Sequence, residues 1–84
     1  MKPIRLTEHA QGYQKIRGFS AEEVIKTIRM GTSKTAEWGR WESYRDFDIL
    51  TEWNGLIYRT KRIRPIFVEE EEEIVVITVY VYYY

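Results

Sequence analysis

The segment from Ile74 to Tyr82 constrains the fold more than any other. Every residue in it is aliphatic, aromatic or threonine, and no charge, glycine or proline interrupts it. Branched and aromatic side chains fit a pleated surface and lose rotamer freedom in a helix. The segment is therefore predicted to be a strand. Alternation puts Val75, Ile77, Val79 and Val81 on one face, and Ile74, Val76, Thr78, Tyr80 and Tyr82 on the other. The first set is expected to carry helices, while the second becomes hydroxyl-bearing toward its end. Apolar residues on both faces predict an interior place in the sheet.

The helices come from the first third of the chain. Ile4-Arg5-Leu6 reads as a short extended lead-in, and Thr7 as an N-cap with Glu8 in the first turn. Leu6, Ala10, Tyr13 and Ile16 recur at helical spacing, and Gly18 is expected to end that helix in a left-handed cap. Ser20-Ala21-Glu22-Glu23 is a capping box, with Phe19 and Val24 at its staple positions. Val24, Ile25 and Ile28 form the apolar stripe of the second helix, which Gly31 closes. With only Gly18 and Phe19 between them, the two helices are predicted to form an αα-hairpin.

Beyond Gly31 the helical period disappears. The stretches 38–44 and 47–53 read as strands. Asn54-Gly55 is a two-residue hairpin signal that joins a strand ending near Trp53 to one running 56–62. Pro65 predicts an edge or a break. Ile66-Phe67-Val68 reads as short and extended, and the run Glu69 to Glu73 as a turn before the last strand. With no linker or repeat, residues 1–84 are predicted to form one α+β domain. An N-terminal αα-hairpin would pack on one face of an antiparallel sheet of about four strands.

Composition narrows the function. No cysteine is present, which excludes disulfides, thiolate metal sites and cysteine nucleophiles and points to a cytoplasmic protein. No apolar stretch is long enough for a bilayer-spanning helix, and Met1-Lys2-Pro3-Ile4-Arg5 lacks the apolar core of a signal peptide. The 13 basic and 13 acidic side chains cancel, whereas a nucleic-acid-binding domain is usually basic. Arg59, Lys61, Arg62 and Arg64 still make a local basic cluster. The glutamate run does not have the separated ligands of a cation cage. Zinc spacing, a phosphate-cradling glycine loop and a Ser-His-Asp arrangement are likewise missing, so neither metal nor cofactor is expected.

Several pieces in order, Leu6-Thr7-Glu8-His9-Ala10, Arg17-Gly18-Phe19-Ser20 with Glu23-Val24, Gly31, and Ile74-Val75-Val76-Ile77-Thr78-Val79-Tyr80, resemble the bacterial domain-of-unknown-function family 4258. The resemblance implies kinship with small RelE/ParE-like and BrnT-like toxins, which place two helices on one face of an antiparallel sheet. Many proteins of that broad group cleave RNA without a metal, using His, Arg, Lys, Thr or Tyr on the open sheet.

Candidate residues follow from that chemistry and from the pattern together. His9 is the only histidine and the candidate base for a 2′-hydroxyl; alternatively it packs beside Tyr13, one turn on. Arg17 is a candidate phosphate ligand, or satisfies carbonyls at a helix end. Arg59 and Lys61, predicted to share a strand face, are candidate substrate-binding cations; alternatively they protect an exposed edge. Thr78 and Tyr80 are candidates to orient a phosphate or stack on a base, or are aromatic cover for the sheet. Trp38, Trp41 and Trp53 read as core residues or stacking platforms. The tail Tyr82-Tyr83-Tyr84 predicts docking on the chain's own sheet or on a partner: a second copy through strand edges or aromatic surface, or an antitoxin-like protein. Two functions result, a toxin-like metal-independent ribonuclease or RNA-binding domain, and a non-catalytic interaction module acting as a homodimer.

Overall fold

Short polar caps and turns divide the chain into strands β1 (Ile4–Leu6), β2 (Thr32–Thr35), β3 (Trp41–Trp53), β4 (Leu56–Glu69) and β5 (Ile74–Tyr83), with helices α1 (Glu8–Gly12), α2 (Gln14–Arg17) and α3 (Ala21–Met30). A computed structural model describes residues 2–84 of the chain, apart from the side chain of Trp53. Met1, the first residue of the charged N-terminal segment, and the proposed stacking role of Trp53 lie outside the described residues. The strands form one sheet in the order β1-β5-β4-β3-β2. β2 to β5 are successively antiparallel, and β1 lies parallel to β5, with Ile4 opposite Ile74. The architecture is α+β, and the sheet is mixed and five-stranded rather than antiparallel with about four. The lead-in 4–6 supplies the parallel strand. The polar stretch 32–35 supplies β2, whose residues are all exposed and carry no apolar alternation.

The first helical segment breaks at Tyr13 (φ −97°, ψ 0°), which turns Ile16 outward to 70% exposure instead of into the core. Thr7 caps α1 by accepting from the Ala10 N–H. Gly18 adopts the left-handed conformation (φ 78°) and ends α2. The Arg17 carbonyl just before it accepts from the Tyr83 hydroxyl, and the Gly18 carbonyl from Lys61 Nζ, so groups from the sheet satisfy a helix end. The Ser20–Glu23 capping box is formed in both directions, at 2.9 and 3.1 Å. Gly31 ends α3 for a different reason. Its backbone is extended, but a Cβ there would lie 2.5 Å from the carbonyl oxygens of both Thr27 and Tyr44.

Asn54 (φ 52°) and Gly55 (φ 80°) make the two-residue turn between β3 and β4. Pro65 does not end β4 or put it on an edge; β4 lies between β3 and β5. The ladder to β3 pairs Arg45 with Ile63 and resumes only at Glu42 with Ile66. The missing proline N–H therefore falls in a gap of the ladder and the strand continues through it. The acidic run is the β4–β5 turn, closed by Glu70 N–H to the Glu73 carbonyl at 2.8 Å and clipped at its ends by Lys2–Glu69 and Arg5–Glu73 ion pairs.

The core fills one side of the sheet: Leu6, Ala10, Phe19 and Val24 from the helical layer and β1 meet Ile63, Phe67, Val76 and Val79. A fully buried Val or Ile here contributes about 1.5–3 kcal/mol. The alternation of β5 is interrupted. Ile66 pairs with Thr78 but Phe67 with Val76, so Ile77 is an extra residue, a bulge. Up to the bulge Ile74 and Val76 face the helices, and beyond it Val79 and Val81 do. The expected placement of Val75 and Ile77 on the helical side is thus corrected, while Thr78, Tyr80 and Tyr82 lie on the opposite side, as the pattern predicts.

Candidate functional site

The side of the sheet away from the core presents a band of tyrosines and arginines. Strand register brings Arg62 opposite Tyr82 and Arg64 opposite Tyr80 on β5, and Asp46 opposite Arg62 on β3. Tyr44, Tyr80, Tyr82 and Tyr84 are between 37% and 55% exposed. The guanidinium of Arg62 lies 4.6 Å from the Tyr44 ring and 5.8 Å from that of Tyr84, and that of Arg64 lies 5.4 Å from the Tyr80 ring. Cations and aromatic faces alternate along the band and form an open groove of about 480 Å³.

Each of these cations already has an anion. Arg62 grips Asp46 with two hydrogen bonds, at 2.7 and 3.1 Å. Arg64 donates to Glu42 Oε2 at 2.6 and 3.2 Å and to the Tyr82 hydroxyl at 3.1 Å. Glu42 also pairs with Lys34 at 3.2 Å, and Tyr84 donates its hydroxyl to Asp46 at 2.9 Å. The Arg64 hydrogen bonds, helped by Lys34 and opposed by burial, hold the Glu42 carboxyl below the usual range. Arg62, with Tyr84 assisting, does the same for Asp46. The hydrogen bond to Asp46 raises the Tyr84 phenol. Paired in this way, Arg62 and Arg64 give shape and hydrogen-bonding pattern to the face more than net charge.

A second cluster lies where α1 and α2 meet β5. The His9 ring packs edge-on against Tyr13, with centroids 5.0 Å apart. Arg17 stacks on the other contact surface of that cluster, 3.9 Å from the Tyr13 ring and 5.4 Å from Tyr80, and donates to the Val79 carbonyl at 2.8 Å. The structure thus strings His9, Arg17 and Tyr80 together through Tyr13, with Thr78 two residues from Tyr80 on the same side of β5. Among the described residues His9 makes no hydrogen bond; its ring is exposed. Lys61 is elsewhere. It points under the helices to the Gly18 carbonyl and to Glu23, 2.7 Å away, with its side chain 13% exposed. Arg59 is exposed on the far part of the β3–β4 hairpin. Lys61 and Arg59 therefore do not join His9, Arg17 and Tyr80. Arg17 serves a strand carbonyl rather than the helix end.

Sequence reasoning singled out Arg62 and Arg64 but not the anions that hold them, Glu42 and Asp46, nor Tyr44. Among the described residues no group of three or more His, Cys, Asp or Glu is placed to hold a metal ion, and no helix is long and apolar enough to cross a membrane. No family model matches the chain, and neither the curated proteins nor the solved structures contain a significant match.

Proposed function

We propose that the chain is a non-catalytic interaction module that binds another protein chain through the open tyrosine–arginine face of its sheet. The observation that carries this reading is the pairing of every sheet-face arginine with a carboxylate. Phosphoryl chemistry needs a cation free to meet developing charge, and here Glu42 and Asp46 would have to be displaced first. A surface rich in Tyr and Arg with little net charge is the composition of protein-interface hot spots. The strand edges favour a face as the contact. The edge of β5 beyond β1 is met by Thr7 and Arg17, and β2 at the other edge is short and polar. On this reading, the helical cover and the antiparallel β2–β5 meander are those of a toxin homologue of the RelE/ParE- or BrnT-like kind, cytoplasmic, whose sheet binds rather than cuts.

The cluster His9–Tyr13–Arg17–Tyr80 supports a second reading, a metal-independent ribonuclease with His9 as base and Arg17, Thr78 and Tyr80 at the phosphate. One experiment separates the two. RNA is incubated with the wild type and with His9→Ala, and protein partners are selected with the wild type and with Tyr82→Ala. Binding predicts background cleavage for both His9 forms and a partner retained by wild type but not by Tyr82→Ala. Cleavage that His9→Ala abolishes would replace the first reading with the second.

A further inference from the structure

The turn between β2 and β3 borders one end of the open face and holds a bulky side chain outward. Trp38 adopts the left-handed conformation (φ 65°, ψ 33°), which is costly for a large residue, and its indole is 87% exposed. Backbone hydrogen bonds close the turn around it, from the Ala36 N–H to the Arg40 carbonyl and from the Arg40 N–H to the Glu37 carbonyl, but among the described residues the indole itself makes no hydrogen bond or ring contact. Beside it is a groove of about 400 Å³, lined on the turn side by Glu37, Trp38 and Arg40 and on the sheet side by Ile66, Thr78 and Tyr80. Among the described residues the Thr78 and Tyr80 hydroxyls have no hydrogen-bond partner. Glu37 and Arg40 carry opposite charges three residues apart, yet among the described residues their charged side-chain groups pair neither with each other nor with any other group.

A knob and a hole next to each other on one face are self-complementary under a two-fold axis, because residue i then meets residue j and j meets i. We propose, resting on the interaction reading above, that the partner is a second copy of this chain. The Trp38 indole of each chain fills the groove beside Trp38 of the other, and Glu37 faces Arg40 of the partner subunit, and the reverse. The charges left unpaired in one chain are those that such an axis brings together. The available area agrees. Molecular extents of 45 and 24 Å leave room on this side for the roughly 800 Å² per partner that a standard interface takes. The dimer would cover the Trp38 end of the open face, Tyr80 included.

Sedimentation of the wild type and variants over a wide concentration range tests this. Glycine removes the indole and relieves the left-handed backbone, so Trp38→Gly is expected to fold, with an unchanged circular dichroism spectrum. Its self-association should weaken by at least about 30-fold. Glu37→Arg and Arg40→Glu should each weaken it several-fold, and the double exchange should restore it. A wild type that stays monomeric, a Trp38→Gly variant that dimerises like wild type, or a double exchange no better than the single ones overturns the proposal. A monomeric wild type that still retains another protein through Tyr82 overturns only the self-association. If it also fails to retain any, the interaction reading falls with it.

Discussion

Glu42 is the residue on which most of the open face converges, since it takes hydrogen bonds from Arg64 and an ion pair from Lys34 while its own side chain is 11% exposed. Its folded-state pKa is depressed, chiefly by Arg64. The unfolded chain therefore takes up the proton first as pH falls. The stabilisation is complete above the unfolded carboxyl value of about 4.3 and is lost as pH drops through the folded value. Asp46 adds to the same trend through Arg62. Glu42→Gln should lower stability at neutral pH by about 1 kcal/mol, a figure reduced for the partly exposed Arg64. It should also flatten the acid limb of the stability profile. Urea denaturation of both forms between neutral pH and pH about 3 checks this; a variant whose acid limb is as steep as that of the wild type would show that Glu42 is not the group responsible. The sequence does not reveal this residue's role. Counting back from Asn54-Gly55 without interruption would set Asp46 against Ile63, but an extra residue between Asp48 and Thr51 sets it against Arg62 instead. One bulge turns every side chain before it to the opposite face.

Among the elements, β5 depends most on its neighbours. β1 pairs only as far as Val76, and from there the helices guard the edge. The Thr7 N–H bonds the Val76 carbonyl, its hydroxyl bonds that of Ile77, and Arg17 bonds that of Val79. An uncharged, valine- and tyrosine-rich edge without such cover would be a template for strand addition. Arg17→Ala is expected to cost about 1–2 kcal/mol through the lost charged hydrogen bond and ring contacts. It should also raise concentration-dependent aggregation in light scattering more than Lys15→Ala does, since Lys15 is an exposed neighbour with no partner among the described residues. Equal aggregation of the two variants would refute the guarding role. The elements most legible in the sequence are those set by local chemistry: the Ser20 capping box, the Thr7 and Gly18 caps, the Asn54-Gly55 turn and the β5 run. Those decided by tertiary pairing were hidden. β2 carries no alternation, β1 is three residues long, and Pro65 is tolerated inside β4 only because the ladder to β3 lapses there. The candidate site divides in the same way. The side of the sheet that carries Thr78 and Tyr80 was readable from strand parity, whereas the reach of Arg17 to the Val79 carbonyl depended on tertiary packing and the carboxylate partners on a bulge that no residue announces.

At the scale of the molecule, the β3 bulge between Asp48 and Thr51 marks a boundary in the long hairpin. β3 and β4 run side by side for most of the 45 Å long axis, but only their inner halves have other strands beside them. The last backbone contact from the β5 side is at Tyr84, just past the strand, whose carbonyl accepts from the N–H groups of both Arg59 and Thr60. Beyond that point β3 and β4 pair with each other alone, and Leu50, Leu56 and Ile57 are 77%, 60% and 69% exposed. Apolar burial, not backbone pairing, supplies most of the stability of a sheet, and an isolated two-stranded ribbon is marginal in water. The inner half carries Ile63, Phe67, Val76 and Val79, each at least nine-tenths buried. The hairpin should therefore open locally without the rest of the fold. In native-state hydrogen exchange the amides of residues 50–58 are expected to exchange with opening free energies several kcal/mol below the global value, and those of Ile63, Phe67 and Val79 only on global unfolding. Gly55→Ala, which forces a Cβ onto a left-handed turn position (φ 80°), should lower the outer protection further by about 1 kcal/mol and leave the inner amides almost unchanged. Equal protection along the whole of β4 would mean that outer and inner halves fold as one cooperative unit, and that something other than apolar burial holds the exposed half in place.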